Sequence, residues 1–328
     1  MAKWFRALTA LTALTALMAF YATFGATQVL AQGAPPETMA QWNAAQRIPL
    51  WPATAPGGGF VKQPDRPDAI PNFITNVEMP ELRVFRPEKP NGRIVLSIPG
   101  GAYRFVSIAN EGVDLANVMT AKGYTVFVLV YRLPGEGWAH REDMPLQDAQ
   151  RAVRLIRSEA AKFGADPEKL YVAGFSAGGH LAATLMTGFA ERLYDPVDAA
   201  DRLSARPKGM GLIYPVISHV PGVGHAESSL LLLGENPSTQ LVAKRSPALH
   251  VSAETPPVFL MHAMDDPAVP VENSFLIIDA LRTAKRPVEA HLFEEGGHGF
   301  GLGSPELPVS HWAELFANWI ERQESKGE

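Results

Sequence analysis

Residues 170–178 read Leu-Tyr-Val-Ala-Gly-Phe-Ser-Ala-Gly, and an alanine-rich run with helical character continues from them to Phe189. The central five residues, Gly174 to Gly178, form a G-x-S-x-G turn between an apolar strand and a helix. A serine on so sharp a strand-to-helix turn takes a strained backbone conformation, and a glycine on each side leaves room for it. The turn therefore predicts that the hydroxyl of Ser176 is held out as a nucleophile. The alternative interpretation is a Ser-Gly turn that only ends the strand.

The segments on either side of this turn alternate between strands and helices. Residues 93–98 and 124–131 are continuous β-branched and apolar runs, which are typical of strands buried on both faces. Further strands are predicted at 81–85, 210–217, 258–263 and 288–293, and helices at 111–121, 146–163, 177–189, 271–284 and 309–322. This alternation predicts an α/β fold, with a mainly parallel central sheet and helices on both faces.

The first 31 residues have the three parts of a secretory signal. Lys3 and Arg6 precede an uncharged run that contains three Ala-Leu-Thr triplets, and small residues follow near Ala31. We expect cleavage after Ala31 and export to the periplasm or the medium. The alternative is an uncleaved anchor, although the threonines dilute an apolar run that a spanning helix would need to be about 20 residues long.

The composition excludes several classes of function. Removal of residues 1–31 takes away two of the 29 basic residues and none of the 34 acidic ones, so the balance becomes −7. Nucleic acid and anionic membrane surfaces both require a basic patch, so we expect neither as a partner once the signal has been cleaved. The chain contains no cysteine, which excludes disulfides, thiol nucleophiles and thiolate metal sites.

Two segments depart from the strand-helix alternation. Residues 32–72 are rich in proline and glycine and predict an irregular N-terminal arm, anchored by Trp51, before a hydrolase domain at 73–325. Residues 218–256 form a long insertion, and loops of this length in a compact domain are usually functional. Leu230 to Leu233 either line a small cap over the active site or dock a short helix to the body, and the sequence leaves both alternatives open.

A base and an acid follow the last two predicted strands. His298 lies between glycines at 296–301, and an imidazole, which ordinarily titrates near pH 6.5, is suited to take a proton from a serine and return it. Asp265 and Asp266 follow the strand at 258–263, where a carboxylate can orient that imidazole. Because the carboxyl ends of parallel strands meet at one edge, Ser176, an aspartate and His298 are expected to converge there. These residue types alone leave Asp265 and Asp266 as alternatives.

Backbone donors for an oxyanion are predicted on the loop after the first buried strand. Gly100 and Gly101 follow that strand, and their N–H groups are expected to be free, together with the N–H of Ala177. The other histidines show no spacing typical of metal ligands, so neither a metal nor a cofactor is predicted. We expect His180 to pack within its helix and His262 to be buried and hydrogen-bonded. His219 and His225 are expected to be exposed on the long loop, and the alternative is that they contact the substrate.

The motifs together resemble those of a known family. They are I-P-L-W-P (48–52), I-P-G-G-A-Y (98–103), P-L-Q-D-A-Q-R-A (145–152), G-F-S-A-G-G-H-L-A (174–182), D-D-P-A-V-P (265–270) and G-G-H-G-F-G (296–301). They look like those of exported α/β-hydrolases of the acetyl esterase and lipase group, in particular acetyl xylan esterase-like enzymes. The resemblance assigns the nucleophile to Ser176, the base to His298 and the acid to Asp266, and the oxyanion loop to Gly100 and Gly101. Related lipases carry His-Gly-Gly-Gly where this chain has Pro99 and Ala102 at the outer positions.

The resemblance implies a serine carboxylesterase that removes short acyl groups, acetyl above all, from acetylated saccharides such as xylan. Three alternatives stay open. The same triad cleaves amides in peptidases of this fold, but we expect no propeller-type N-terminal domain of the kind that such peptidases carry. A xylanase-type glycoside hydrolase needs two carboxylates that flank a sugar bond, and no pair is marked in the sequence. The last alternative is a binding module that has lost catalysis. The oligomeric state, the acyl-chain range and the natural ester are not indicated.

Overall fold

Eight strands form the main sheet of the protein, whose computed structural model describes residues 34–64 and 70–325. The described ranges contain ten strands in all: β1 (Gln46–Pro49), β2 (Phe73–Ile74), β3 (Glu81–Phe85), β4 (Ile94–Ile98), β5 (Val106–Ser107), β6 (Thr125–Val130), β7 (Leu170–Phe175), β8 (Gly209–Ile213), β9 (Val258–Ala263) and β10 (Val288–Phe293). The order in the main sheet is β1-β3-β6-β4-β7-β8-β9-β10, and β2 pairs with β5 separately. The β1–β3 and β3–β6 pairs are antiparallel and the other pairs are parallel.

Helices cover both faces of this sheet. They are α1 (Pro36–Ala44), α2 (Asp114–Ala121), α3 (Met144–Glu159), α4 (Ser176–Gly188), α5 (Ala226–Leu233), α6 (Thr239–Lys244), α7 (Glu272–Thr283) and α8 (Trp312–Ser325). One face is covered by α2 and α8, which contact each other, and the other face by α3, α4 and α7. The α/β fold with a mainly parallel sheet and helices on both faces is thus confirmed.

The continuous apolar runs are the centre of the core. Every residue of β4, β6, β7, β8 and β9 is buried, because helices lie on both sides of these strands. The strand predicted at 210–217 ends earlier, at Ile213. Tyr214 has a φ of 37°, a left-handed conformation that turns the chain out of the sheet. The helix predicted at 111–121 begins with a π-helical turn at Ala109–Val113.

The prediction of an irregular arm over residues 32–72 is wrong for Pro36–Pro49. These residues form helix α1 and strand β1, which pairs with β3 and becomes one edge of the main sheet. The four residues of β1 are too few to show a period, so their pairing depends on β3 and not on local pattern. The predicted signal peptide at 1–31 lies outside the described residues and stays a prediction.

Trp51 anchors the segment that follows β1, as expected. Its indole is buried, and its Nε1–H donates to Asp148 at 3.0 Å. Asp148 also forms an ion pair at 2.8 Å with Arg132, and both side chains are fully buried. The buried pair ties the N-terminal segment to α3, because each carboxylate oxygen finds a donor away from solvent.

The insertion at 218–256 contains two short helices, α5 and α6, and a 3₁₀ turn at Pro247–His250. Leu232 and Leu233 are buried in the core, whereas Leu230 is 48% exposed. Two of the four leucines therefore dock α5 to the body. No helix among the described ranges 34–64 and 70–325 has the length and apolar character needed to cross a membrane.

Candidate active site

Ser176 lies on the sharp turn between β7 and α4 and has a φ of 51°. A non-glycine residue in this left-handed region is strained, so the surrounding packing must hold it there. A Cβ on Gly174 would lie 2.4 Å from the Cβ of Ala182, and one on Gly178 would lie 2.2 Å from the carbonyl oxygen of Ile98. The two glycines are thus required because the turn packs directly against its own helix and the neighbouring strand.

His298 meets Ser176 from the loop after β10. Its Nε2 is 2.8 Å from Ser176 Oγ. The flanking residues Gly297 and Gly299 have φ values of 65° and 68°, which favour glycine. The ring of Tyr214 packs edge-on against His298 at 5.1 Å between centroids. The serine hydroxyl therefore has a base within hydrogen-bonding distance, on a loop whose shape depends on glycine.

Asp266 completes a continuous hydrogen-bonded chain. Its Oδ2 accepts from His298 Nδ1 at 2.7 Å, and its side chain is fully buried, whereas that of His298 is 20% exposed. Asp265 is exposed and accepts the backbone N–H of Gly297 at 2.8 Å. Of the two aspartates that the residue pattern left open, Asp266 contacts the imidazole and Asp265 contacts the loop that carries it.

A second histidine holds the same carboxylate. His262 Nε2 lies 3.1 Å from Asp266 Oδ2 and 3.0 Å from the carbonyl oxygen of Val269. Because a carbonyl only accepts, Nε2 carries the proton, and Nδ1 accepts from Ser274 Oγ at 2.7 Å. His262 is buried and hydrogen-bonded as expected, but its contact with Asp266 was not predicted from the sequence.

The pKa of Asp266 lies well below its ordinary value. Burial alone would raise this pKa, but the hydrogen bonds from His262 and His298 and the charge of His298 lower it further than burial raises it. The backbone N–H of Val269 adds another donor, to Oδ1 at 2.8 Å. A carboxylate that stays ionised can fix the tautomer of His298 and stabilise its protonated form.

The prediction that the N–H of Gly100 is free is wrong. This N–H donates to Oε2 of Glu111 at 2.7 Å. Gly100 is glycine because a Cβ would lie 2.7 Å from the carbonyl oxygen of Phe175 and 2.9 Å from Ser176 Cβ. Gly101 and Ala102 line the cleft beside Ser176, and within residues 34–64 and 70–325 neither N–H donates to another protein group. Ala177 is the second residue of α4, where helix N–H groups have no partner within the helix.

A cleft of about 260 Å³ opens in front of Ser176 and His298. Part of its wall is the stacked pair Phe73 and Phe105, whose ring centroids are 4.0 Å apart. The beginning of α5 supplies His225 and Glu227, and Glu227 forms an ion pair with Arg104. The insertion at 218–256 thus lines the cleft through these polar residues, while Leu232 and Leu233 dock the helix.

His225 and His219 are not the exposed loop histidines that were expected. His225 is half-buried, and its side chain caps α5 by accepting the N–H of Ser228. Burial lowers the pKa of His225, and the charge of His298 lowers it further. His219 is buried, and its Nδ1 lies 2.8 Å from Ser229 Oγ. The long loop folds back on the body, so local composition did not predict the burial of its side chains.

His180 and His219 form a second hydrogen-bonded chain, away from the hydroxyl of Ser176. The hydroxyl of Tyr103 lies 2.7 Å from His180 Nδ1. His180 Nε2 lies 2.8 Å from the carbonyl oxygen of Arg245 and 2.9 Å from His219 Nε2. The carbonyl fixes the proton on His180 Nε2, so both histidines fit this chain in the neutral form. Burial lowers the pKa of His180 to about 4.

The described part of the chain holds no group of three or more histidine, cysteine, aspartate or glutamate residues arranged to bind a metal ion. The constellation brings together a strained serine, an imidazole and a buried carboxylate. It can perform acyl transfer by nucleophilic attack and proton shuttling.

Two family models match the chain. One, described as BD-FAE, matches residues 82–208, and the other, described as the prolyl oligopeptidase family, matches residues 230–326. The first match includes Ser176 and the loop of Gly100, and the second includes Asp266 and His298. The two matches together therefore cover all the residues of the hydrogen-bonded chain.

Similar proteins include hydrolases with names that refer to xylan. The acetylxylan esterase of Xylanibacter ruminicola is 32% identical over 74% of this chain and 48% of its own length. The endo-1,4-beta-xylanase B of Butyrivibrio fibrisolvens is 37% identical over 67% of this chain and 34% of its own length. The chain thus spans about a third to a half of the length of these curated relatives.

A solved structure matches over almost its full length. It is the acetyl ester-xyloside bifunctional hydrolase from Caldicellulosiruptor lactoaceticus, which is 37% identical to this chain. The match covers 85% of this chain and 96% of the other, with a TM-score of 0.70.

Proposed function

Because the chain belongs to the α/β-hydrolase family, we propose that it is a serine carboxylesterase, which removes short acyl groups, acetyl above all, from acetylated saccharides such as xylan. The observation that carries the proposal is the unbroken chain of hydrogen bonds from Asp266 through His298 to Ser176, with distances of 2.7 and 2.8 Å. This chain ends at the 260 Å³ cleft, so an ester carbonyl that enters the cleft meets an activated hydroxyl.

In the proposed reaction, Ser176 Oγ attacks the ester carbonyl while His298 Nε2 takes its proton. Asp266 keeps the proton on Nδ1, so that Nε2 is free to accept, and it stabilises the positive imidazolium that forms. The tetrahedral intermediate collapses to an acyl-enzyme, and the alcohol leaves with the proton from His298. A water molecule then gives a proton to His298 and attacks the acyl carbon. The bond from Ser176 Oγ to this carbon breaks, His298 returns the proton to Oγ, and the acid is released.

We assign stabilisation of the oxyanion to the N–H groups of Gly101 and Ala177, with Ala102 in place of Gly100. Support comes from the positions of Gly101 and Ala102 on the wall of the cleft and from the lack of a protein partner for either N–H in the described ranges. Donors fixed before the reaction need no reorganisation as charge develops on the carbonyl oxygen.

The substrate class is supported by the relatives and by the size of the cleft. Two of the similar proteins are named for acetyl ester hydrolysis, one an acetylxylan esterase and the other an acetyl ester-xyloside hydrolase. A cleft of 260 Å³ that is partly walled by Phe73 and Phe105 favours a short acyl group next to a sugar.

A glycoside hydrolase function is the second candidate, because two of the similar proteins carry xylanase or xyloside in their names. Glu111 and Glu227 are the glutamates among the residues that line the cleft. Both oxygens of Glu111 accept protein hydrogen bonds, and Glu227 is paired with Arg104. Neither is placed as a free acid or base for a sugar bond, so the ester function is better supported.

The deciding experiment compares the wild type with Ser176→Ala on aryl esters of graded acyl length and on acetylated xylo-oligosaccharides. We expect Ser176→Ala to lose at least about 10³-fold in kcat/KM on every ester while unfolding at the wild-type temperature. Acetate should be the best acyl group. Ser158→Ala is the matched control, because Ser158 lies on α3 and its hydroxyl donates to the carbonyl of Leu155. Undiminished hydrolysis by Ser176→Ala would overturn the mechanism, and sugar release from deacetylated xylan by that variant would favour the glycosidase.

A further inference from the structure

Glu111 is a buried carboxylate beside the nucleophile that the proposed reaction does not use. It is 3% exposed and lies on the π-helical turn Ala109–Val113, at the wall of the cleft that contains Ser176 and His298. A π-helical turn costs stability relative to a regular helix and is frequently found at functional sites. The position of Glu111 is therefore unusual both in its burial and in the backbone that carries it.

Both oxygens of this carboxylate accept hydrogen bonds from parts of the cleft. Oε2 accepts the N–H of Gly100 at 2.7 Å, and Oε1 accepts the hydroxyl of Tyr214 at 2.9 Å. The oxygen of Tyr214 in turn accepts the N–H of Gly301 at 3.3 Å, on the loop that carries His298. Through these bonds Glu111 connects the oxyanion loop to the loop of the base.

The charge of Glu111 has no lysine or arginine partner within residues 34–64 and 70–325. Burial raises the pKa of Glu111, whereas the N–H of Gly100, the hydroxyl of Tyr214 and the charge of His298 lower it without cancelling the rise. An unpaired buried carboxylate is costly, and a fold that retains one beside its reacting groups is poised to use the charge.

We propose that Glu111 is a positioning residue that holds the oxyanion loop to the loop of His298 and supplies a second negative charge, which favours the protonated imidazole. The inference rests on the proposed function, because only in the proposed reaction does His298 become positively charged during proton transfer. When Ser176 transfers its proton, the positive imidazolium of His298 is stabilised by Asp266, which is bonded to Nδ1. The negative charge of Glu111 stabilises it further.

Other charged or titratable groups also face His298. Asp266 contacts it from the loop after β9, the Tyr214 ring packs on it from the residue after β8, and His225 and Glu227 line the same cleft from the beginning of α5. Glu227 is ion-paired with Arg104, and Asp266 is shared with His262. Glu111 is thus the carboxylate in this set whose charge has no cationic or histidine partner in direct contact.

The test is the pH dependence of kcat/KM for Glu111→Gln. A glutamine fits the same space, and its amide can accept from Gly100 and donate to the oxygen of Tyr214, so the connection is kept and only the charge is lost. We expect kcat/KM at the optimum to fall roughly tenfold. The acid limb should move to lower pH, because a negative charge at the wall of the cleft has been removed.

A purely structural role would lower the rate without moving the acid limb, and that result would overturn the proposal, as would a wild-type rate. Glu136→Gln is the matched control. Glu136 is also buried and accepts two backbone N–H groups, from Asn76 and Val77, and burial raises its pKa to about 7, but it does not line the catalytic cleft. Its variant is expected to keep the wild-type acid limb.

If Glu111→Gln does not fold, Glu111→Asp makes the same distinction. The shorter side chain keeps the charge but cannot reach both donors, so the acid limb should stay in place while kcat/KM falls severalfold. A displaced acid limb or an unchanged rate in Glu111→Asp would overturn the proposal. Ser176→Ala, measured alongside, separates this failure from failure of the esterase proposal, because the latter leaves Ser176→Ala active.

Discussion

His298 and His180 each form hydrogen bonds through both ring nitrogens, yet the two histidines are suited to opposite tasks. His298 has a carboxylate on Nδ1 and the serine hydroxyl on Nε2, and its side chain is 20% exposed. His180 has the hydroxyl of Tyr103, a carbonyl and another histidine as partners, and it is buried. An anion and solvent access make it possible for an imidazole to carry charge, whereas burial among neutral groups keeps it neutral.

The two hydrogen-bonded chains also differ in what they connect. The first joins the loops after β7, β9 and β10, where a proton must move for the proposed reaction. The second joins α4 to the insertion, because His219 and Ser229 both belong to residues 218–256. We infer that the second chain stabilises the insertion that lines the cleft, so its loss should affect stability more than the chemical step.

The largest effect is expected from Asp266→Asn. An asparagine can donate its amide to Nδ1 of His298, which would then carry its proton on Nε2 and be unable to accept from Ser176. We expect kcat to fall by about 10³- to 10⁴-fold with little change in the unfolding temperature. Asp279→Asn, on the exposed surface of α7, is the control. A small loss of kcat in Asp266→Asn would mean that the carboxylate is not the feature that distinguishes His298 from His180.

An intermediate effect, on stability, is expected from His180→Gln. Burial lowers the pKa of His180 from 6.5 to about 4, so the unfolded chain binds a proton more tightly than the folded one. The wild type should therefore lose stability as the pH falls from about 6.5 towards 4, by up to about 3 kcal/mol. Glutamine can accept from Tyr103 and donate to the carbonyl of Arg245, but it does not titrate.

The measurement is the urea dependence of unfolding at pH 7.5 and pH 5 for both proteins. The wild type should lose about 2 kcal/mol more than His180→Gln between these values, while kcat/KM at pH 7.5 stays within about tenfold. Glu136 is present in both proteins, so its contribution cancels, and the difference reports His180 together with its hydrogen-bonded partner His219. Equal losses of stability in the wild type and His180→Gln between the two pH values would contradict the distinction between the two histidines. A loss of catalysis in His180→Gln without a change in its stability would also contradict it.

The smallest effect is expected from Asp265→Ala. Asp265 is exposed and accepts the N–H of Gly297, next to His298. Its removal should loosen the loop and lower kcat/KM by a few-fold, because the hydrogen bond is solvent-exposed and does not touch the imidazole. Steady-state kinetics beside Asp266→Asn make the comparison direct. Equal losses in the two variants would show that the aspartates share one role.

The parts of the site that lie in short sequence motifs could be predicted from the sequence. The G-x-S-x-G turn, the Gly-His-Gly loop and the order of the strands identified Ser176 and His298, and the structure brings them within 2.8 Å of each other. The Gly100-Gly101 pair did not identify which backbone N–H groups are free to bind an oxyanion, because the N–H of Gly100 donates to Glu111, eleven residues away. Nor did loop composition indicate that His219 is buried.

The sequence by itself determined the alternation of strands and helices and the strained turn at Ser176, because a period of apolar residues and a pair of glycines act within a few residues. Tertiary structure alone decided that β1 joins the sheet edge and that Glu111 connects two loops. It also shows the contact between Asp266 and His298, which the family motif implied but the residue types left open. Each of these contacts joins groups that are far apart in the chain and come together only in the folded protein. A local sequence pattern contains no information about such contacts.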